Sequence, residues 1–204
     1  TFNKTLSRVT LVLGVTFMSA FQLYADDWKE IMYADPTIFV ENGKYYLTGT
    51  RNQEPQGFAI LESTDLEHWT VPDGTSLQLI LRKGDQTYGE KGFWAPQYFK
   101  DKRTYYFTYT ANEQTVIASS KSVFGPFRQK EVKPIDASAK NIDSFLFKDD
   151  DGKYYLYHVR FNKGNYLWVA EFDIKKGSIK PETLKQCMDC TEPWEKTPNY
   201  KSAP

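Results

Sequence analysis

The chain has 204 residues, enough for a domain with a buried core. Its 26 Lys and Arg are balanced by 26 Asp and Glu, so it lacks the basic excess by which nucleic-acid binders displace counterions from phosphate. Aromatic residues make up 16 % of it, which suits sugar stacking but suits β-sheet cores at least as well, and composition alone favours the cores.

The first segment, residues 1–25, differs from the rest. Lys4 and Arg8 form a basic start, Val9 to Leu23 is an apolar run too short to span a bilayer comfortably, and Ala25 precedes Asp26-Asp27. This pattern predicts a secretory signal peptide cleaved after Ala25, with a membrane anchor or a buried helix as the alternatives. No Cys follows the apolar run, which leaves a lipoprotein anchor there without support. The start at Thr1 reads as incomplete. Export implies a secreted or periplasmic protein with no membrane attachment after cleavage. In that oxidising setting Cys187 and Cys190 are expected to form a small local disulfide, ahead of a pair of free thiols. They are too few for a zinc site and lack the βαβ context of a redox motif.

Beyond residue 28 almost nothing reads as helix. Short runs of Tyr, Phe, Val, Ile and Thr alternate with turn clusters, as in antiparallel all-β domains. The sequence Gly43-Lys44-Tyr45-Tyr46-Leu47 returns as Gly152-Lys153-Tyr154-Tyr155-Leu156, with a weaker copy at Arg103-Thr104-Tyr105-Tyr106-Phe107. Upstream of each lies a further short strand, headed by Asp35-Pro36, Ala95-Pro96 and Asp143-Ser144 respectively. Third strands are expected at Gly57–Leu61, Thr115–Ser119 and Tyr166–Ala170, and fourth ones near Trp69-Thr70, Phe127-Arg128 and Gly177–Ile179. Copies about 50 to 60 residues apart are blades of a β-propeller. Three blades cannot close a ring. The chain stops at Ser202-Ala203-Pro204, where a fourth copy should open, so 26–204 is read as a propeller domain cut on its C-terminal side.

The innermost strand of every propeller blade runs along the central channel, so matched positions on successive inner strands ring one axial pocket. Asp35, Trp94-Ala95 and Asp143 hold such positions. Two carboxylates and a Trp around one pocket make an active-site constellation, although each Asp could instead only cap a turn.

These pieces, Ala34-Asp35-Pro36-Thr37-Ile38-Phe39 with its G-K-Y-Y-L, Trp94-Ala95-Pro96, and Ile142-Asp143-Ser144-Phe145 with its D-D-D-G-K-Y-Y-L, resemble glycoside hydrolase family 43. The resemblance implies a five-bladed propeller with its first three blades here, and an inverting glycosidase of the α-L-arabinofuranosidase or β-xylosidase type. It also implies an oligosaccharide or polysaccharide substrate. Carried over by position, Asp35 is the general base, Asp143 the acid that orients the general acid and raises its pKa, and Trp94 part of the sugar platform. The family's general acid, a Glu in an E-G-P segment, has no match; it is expected beyond Pro204, and the fragment is expected to be inactive. Glu192-Pro193 is a partial look-alike in a charged loop broken by Pro.

Other candidates carry less. His68 reads as structural, and a core role is favoured for His158 and Arg160, with Arg160 kept as a possible ligand of a substrate hydroxyl or carboxylate. Asp149-Asp150-Asp151-Gly152 reads as a turn, because the spacing of a twelve-residue calcium loop is absent. No cofactor is required by this reading, although some members of the family carry a channel calcium. A retaining fructosidase fits poorly, since its N-D-P-N-G opening is A-D-P-T-I here. A catalytically silent propeller that binds glycans or proteins is the alternative of another class.

Overall fold

A computed structural model describes residues 31–74, 77–161, 164–188 and 190–196. The expected signal peptide lies outside the described residues. The first blade is a sheet in the order β1 (Ala34–Glu41), β2 (Lys44–Thr50), β4 (Leu61–Ser63). The second is β6 (Trp94–Asp101), β7 (Thr104–Ala111), β8 (Gln114–Ser120). The third runs from β9 (Asn141–Lys148) through β10 (Tyr154–Phe161) and β11 (Asn165–Asp173) to β12 (Ser178–Ile179), with β13 (Lys185–Met188) also pairing β11. All pairings are antiparallel, as the tight turns after Glu41, Asp101 and Lys148 require.

The first blade departs from expectation beyond β2. The run Gly57–Leu61 is not one strand: β3 (Gly57–Ala59) pairs with β5 (Leu79–Arg82), and the chain then moves over to place β4 against β2. Gly57 makes the close approach of β3 to β5 possible, because a Cβ there would lie 2.1 Å from the Leu81 carbonyl oxygen at a φ of +142°. The fourth strands near Trp69 and Phe127 shrink to single bridges, Glu62 to Thr70 and Ser119 to Arg128.

Alternation on the inner strands explains how blades stack. Phe39 of β1 points to the second blade and meets the Tyr105 ring edge-on at 6.0 Å; its counterpart Phe99 of β6 meets Tyr154 edge-on at 6.0 Å. At the rim, Glu41 accepts from Lys100 and Tyr105. One blade on, Asp101 accepts from Lys148 at 2.8 Å, and that hydrogen bond, joined by one from Tyr154, holds its pKa below the ordinary value against the opposing effect of burial. The same aromatic and ionic contacts thus recur at both junctions. Between them lies an aromatic core in which Phe58, Phe107, Tyr109 and Phe127 are fully buried. Phe58 sits 5.1 Å from Phe107 and Phe93 stacks on Tyr109 at 5.7 Å. A separate cluster of Leu146, Leu156, Ala170 and Phe172 fills the third blade.

Cys187 and Cys190 are not joined to each other as a disulfide, which corrects the expected pairing. Cys187 is held in β13, where its thiol donates to the Leu167 carbonyl at 3.2 Å. Among the described residues no helix is long and apolar enough to cross a membrane.

Candidate active site

Asp35, Ala95 and Asp143 sit at one structural position in three successive blades. Each lies in the left-handed region, at φ of 47°, 44° and 54°. Each also falls in an irregular register near the start of its inner strand, between Ala34 and Thr37, between Trp94 and Gln97, and opposite the Tyr157–Val159 interval. A bulge at this point inserts an extra residue and re-aims its side chain. Positive φ is uncommon for residues other than Gly, and Asp tolerates it better than most. The repetition of this costly conformation marks it as a built feature of the channel rim.

Hydroxyls from the neighbouring middle strands hold the bulges. Thr50, at the end of β2 and only 6 % exposed, donates to Asp35 Oδ2 at 2.7 Å and accepts the Ala95 N–H at 2.8 Å. One blade later, fully buried Thr110 accepts the Asp143 N–H at 3.1 Å. Thr110 is also the cross-strand partner of Trp94. The result is an arc across three blades, from Asp35 through Thr50 to Trp94-Ala95, and on through Thr110 to Asp143. Below it, Gln97 clamps the next inner strand, accepting the Leu146 N–H at 2.7 Å and donating to its carbonyl at 3.4 Å.

Both acids are exposed, so the arc faces open space. Partial burial of the carboxyl group and then the negative charge of Asp35 raise the pKa of Asp143 above its ordinary value. Asp35 accepts no hydrogen bond at Oδ1 among the described residues, which leaves that oxygen able to take a proton. Trp94 is 38 % exposed, unusual for a large aromatic ring, and Gly92 backs it: a Cβ there would come within 3.1 Å of the indole.

The remaining predicted residues make contacts of their own. Arg160 binds Asp136 and donates to Ser138 Oγ at 3.1 Å, and its guanidinium lies 5.6 Å from the Trp168 ring centre. His158 is fully buried. Glu192 opens a short turn in which the Glu195 carboxylate accepts the N–H groups of Thr191 and Glu192. His68 is exposed and pairs with Asp65 at 2.7 Å. Asp149–Gly152 forms the β9–β10 turn, and among the described residues no three His, Cys, Asp or Glu gather as a metal-binding group. A groove of about 590 Å³ lies apart from the acids, between β8 and the β11–β12 turn, lined by Tyr106, Arg128, Lys130, Lys133 and Lys175 among others.

Thr50 and Thr110 were not picked out among the candidates above, yet they leave a trace in the sequence. Thr48-Gly49-Thr50 and Thr108-Tyr109-Thr110 follow the Tyr-Tyr pairs at the same offset, while the third copy has Val159 at that place.

The family model described as "Glycosyl hydrolases family 43" matches residues 29–204. Over 190 residues the chain is 28 % identical to the extracellular endo-alpha-(1->5)-L-arabinanase 1 of Bacillus subtilis, covering 86 % of this chain and 57 % of that protein. It is 29 % identical over 157 residues to a xylosidase/arabinosidase of Butyrivibrio fibrisolvens, covering 71 % of this chain and 29 % of the other. Among solved structures, an endo-1,4-beta-xylanase of Bacteroides thetaiotaomicron superposes with a TM-score of 0.72 at 41 % identity, over 80 % of this chain and 55 % of that one. The chain thus spans about half the length, or less, of these relatives.

Proposed function

Because the chain belongs to glycosyl hydrolases family 43, we propose that it supplies two carboxylates of an inverting glycosidase acting on arabinose- or xylose-containing polysaccharides or oligosaccharides. The observation that carries this reading is the pairing of Asp35 and Asp143 at the same bulged position of the first and third blades, with the charge of one felt by the other. Asp35 is the general base. Its Oδ2 is held by Thr50, and its other oxygen takes the proton from a water attacking the anomeric carbon. Inversion needs that water between the base and the sugar, which sets the two catalytic carboxyls about 6.5–9.5 Å apart. Asp143 is the third acid. An ionised carboxylate beside the general acid makes a second ionisation costly and so keeps that acid protonated until it donates to the leaving oxygen. The acid itself is proposed to be a Glu beyond Pro204. Trp94 offers the face on which the sugar packs.

The pentose preference is supported by the names of two relatives, the Bacillus subtilis arabinanase and the Butyrivibrio fibrisolvens xylosidase/arabinosidase. Secretion is supported by the leader-like residues 1–25 and by the extracellular label of the Bacillus protein. The test is a protein extending past Pro204, assayed on aryl arabinofuranosides and xylosides. Asp35→Asn lowers turnover about 10²- to 10⁴-fold or more while leaving the fold intact. Ordinary turnover in that variant overturns the base assignment, and a folded wild-type protein that binds xylan or arabinan without cleaving it favours the silent binding propeller.

A further inference from the structure

From the bridging geometry of one hydroxyl we infer that Thr50 is a positioning residue for the reaction, locking the base Asp35 and the sugar platform Trp94-Ala95 into one fixed relation across the blade boundary. The inference rests on the reading of Asp35 as base.

Three observations carry it. The hydroxyl has one proton and spends it on Asp35 Oδ2, at 2.7 Å. One of its two lone pairs accepts the Ala95 N–H at 2.8 Å, which narrows the directions in which that proton can point. Thr50 is 6 % exposed, so water does not readily replace it. A donor held in this way selects one carboxylate rotamer and leaves Oδ1 as the oxygen aimed at the open side. The same hydroxyl seats Ala95, whose neighbour Trp94 carries the platform, so that one oxygen controls both where the proton goes and where the sugar lies.

The next junction separates this role from ordinary blade packing. Thr110 occupies the matched place and accepts the backbone N–H of Asp143, but the residue of its own blade that corresponds to Asp35 is Ala95, which has no carboxylate to receive its proton. Latching a bulge therefore needs only an acceptor. The additional O–H to carboxylate bond is particular to Thr50, and it falls on the one acid whose role is to receive a proton.

The experiment compares Thr50→Val, Thr50→Ala and Thr50→Ser in a protein that extends past Pro204, with kcat and KM measured separately and with Asp35→Asn run alongside. Val and Ala remove the donor, and either folded variant suffices. Activity falls about 10- to 100-fold, mainly in kcat, because a misaimed base loses attack geometry. Thr50→Ser restores most of kcat. An unchanged kcat in folded Val and Ala variants, with Asp35→Asn inactive, overturns the role of Thr50 and leaves the base reading standing. Full turnover in Asp35→Asn overturns the base reading, and the role of Thr50 with it.

Discussion

Asp143 carries an electrostatic burden that a purely structural residue would shed. Burial first, and the nearby Asp35 charge second, disfavour its ionised form. With the folded-state pKa raised, its contribution to stability is present below the ordinary carboxylate range and is lost as pH rises through the folded value. Asp143→Asn is therefore expected to unfold at a higher temperature than the parent chain at neutral pH, with the gap closing as pH falls through the carboxylate range. Thermal scans across pH check this. In a protein extending past Pro204, the same substitution is expected to lower turnover by about 10²-fold or more, a loss of function accompanying a gain in stability. The matched placement of Asp35 and Asp143 was readable in advance, because they head matched copies of a repeat. What the repeat did not convey was the left-handed backbone under each of them, which arises where an extra residue has to fit opposite a regular middle strand.

Among the elements, the strand β9 shows how one polar side chain joins two blades. Asn141 is fully buried; its Oδ1 accepts both the N–H and the hydroxyl of Thr115, and its Nδ2 donates to the Ala139 and Asp136 carbonyls. Every arm of the amide is used, so a substitution leaves buried donors and acceptors of β8 and the preceding loop unpaired. Asn141→Ala is expected to cost about 2–4 kcal/mol, read as a lower urea midpoint with an unchanged slope. A change in slope instead would indicate that the two blades unfold separately. Most strand locations followed from period-two patterning and the Tyr-Tyr copies, and β2, β7 and β10 lie where the repeat set them. The split of the third strand of the first blade did not. Gly57–Ser63 has the composition of one continuous strand, and its division depends on β5, a partner some twenty residues away whose backbone comes within reach only in the folded chain.

At the scale of the whole molecule, His158 is a fully buried titratable group that the proposed chemistry does not use. Burial, partly offset by the Leu156 backbone and reinforced by the Arg160 charge, pushes the pKa of His158 down to about 4. Its stabilising effect is complete above the unfolded value near 6.5 and is lost as pH falls from there through about 4, when the imidazole must charge in a dry setting. Stability should thus drop by about 3 kcal/mol across that interval from this group. Replacement by Gln or Leu should flatten that part of the pH profile, as measured by denaturant unfolding between pH 7 and pH 4. A second global feature is the pair of apolar outer faces: Ile38 and Val40 are 49 % and 57 % exposed on β1, while Phe145 and Phe147 are 54 % and 41 % exposed on β9. Phe147 matches Phe39 and Phe99, each of which meets a tyrosine of the following blade. Further blades of a closed propeller cover such faces.

The repeat, the blade class and the matched positions of Asp35 and Asp143 were legible along the chain because each blade copies one local pattern, and local patterns survive in linear order. The arc from Asp35 to Asp143 was not, since it runs through hydroxyl-to-backbone bonds between residues 33 to 45 positions apart, Thr50 with Ala95 and Thr110 with Asp143. A threonine in a strand reads as a strand former whatever its hydroxyl touches. Its partner, and with it the setting of the carboxylate, exists only once neighbouring sheets have packed. The same holds for Arg160, whose charge reads alike whether it meets a substrate or Asp136 until the fold brings Asp136 to it.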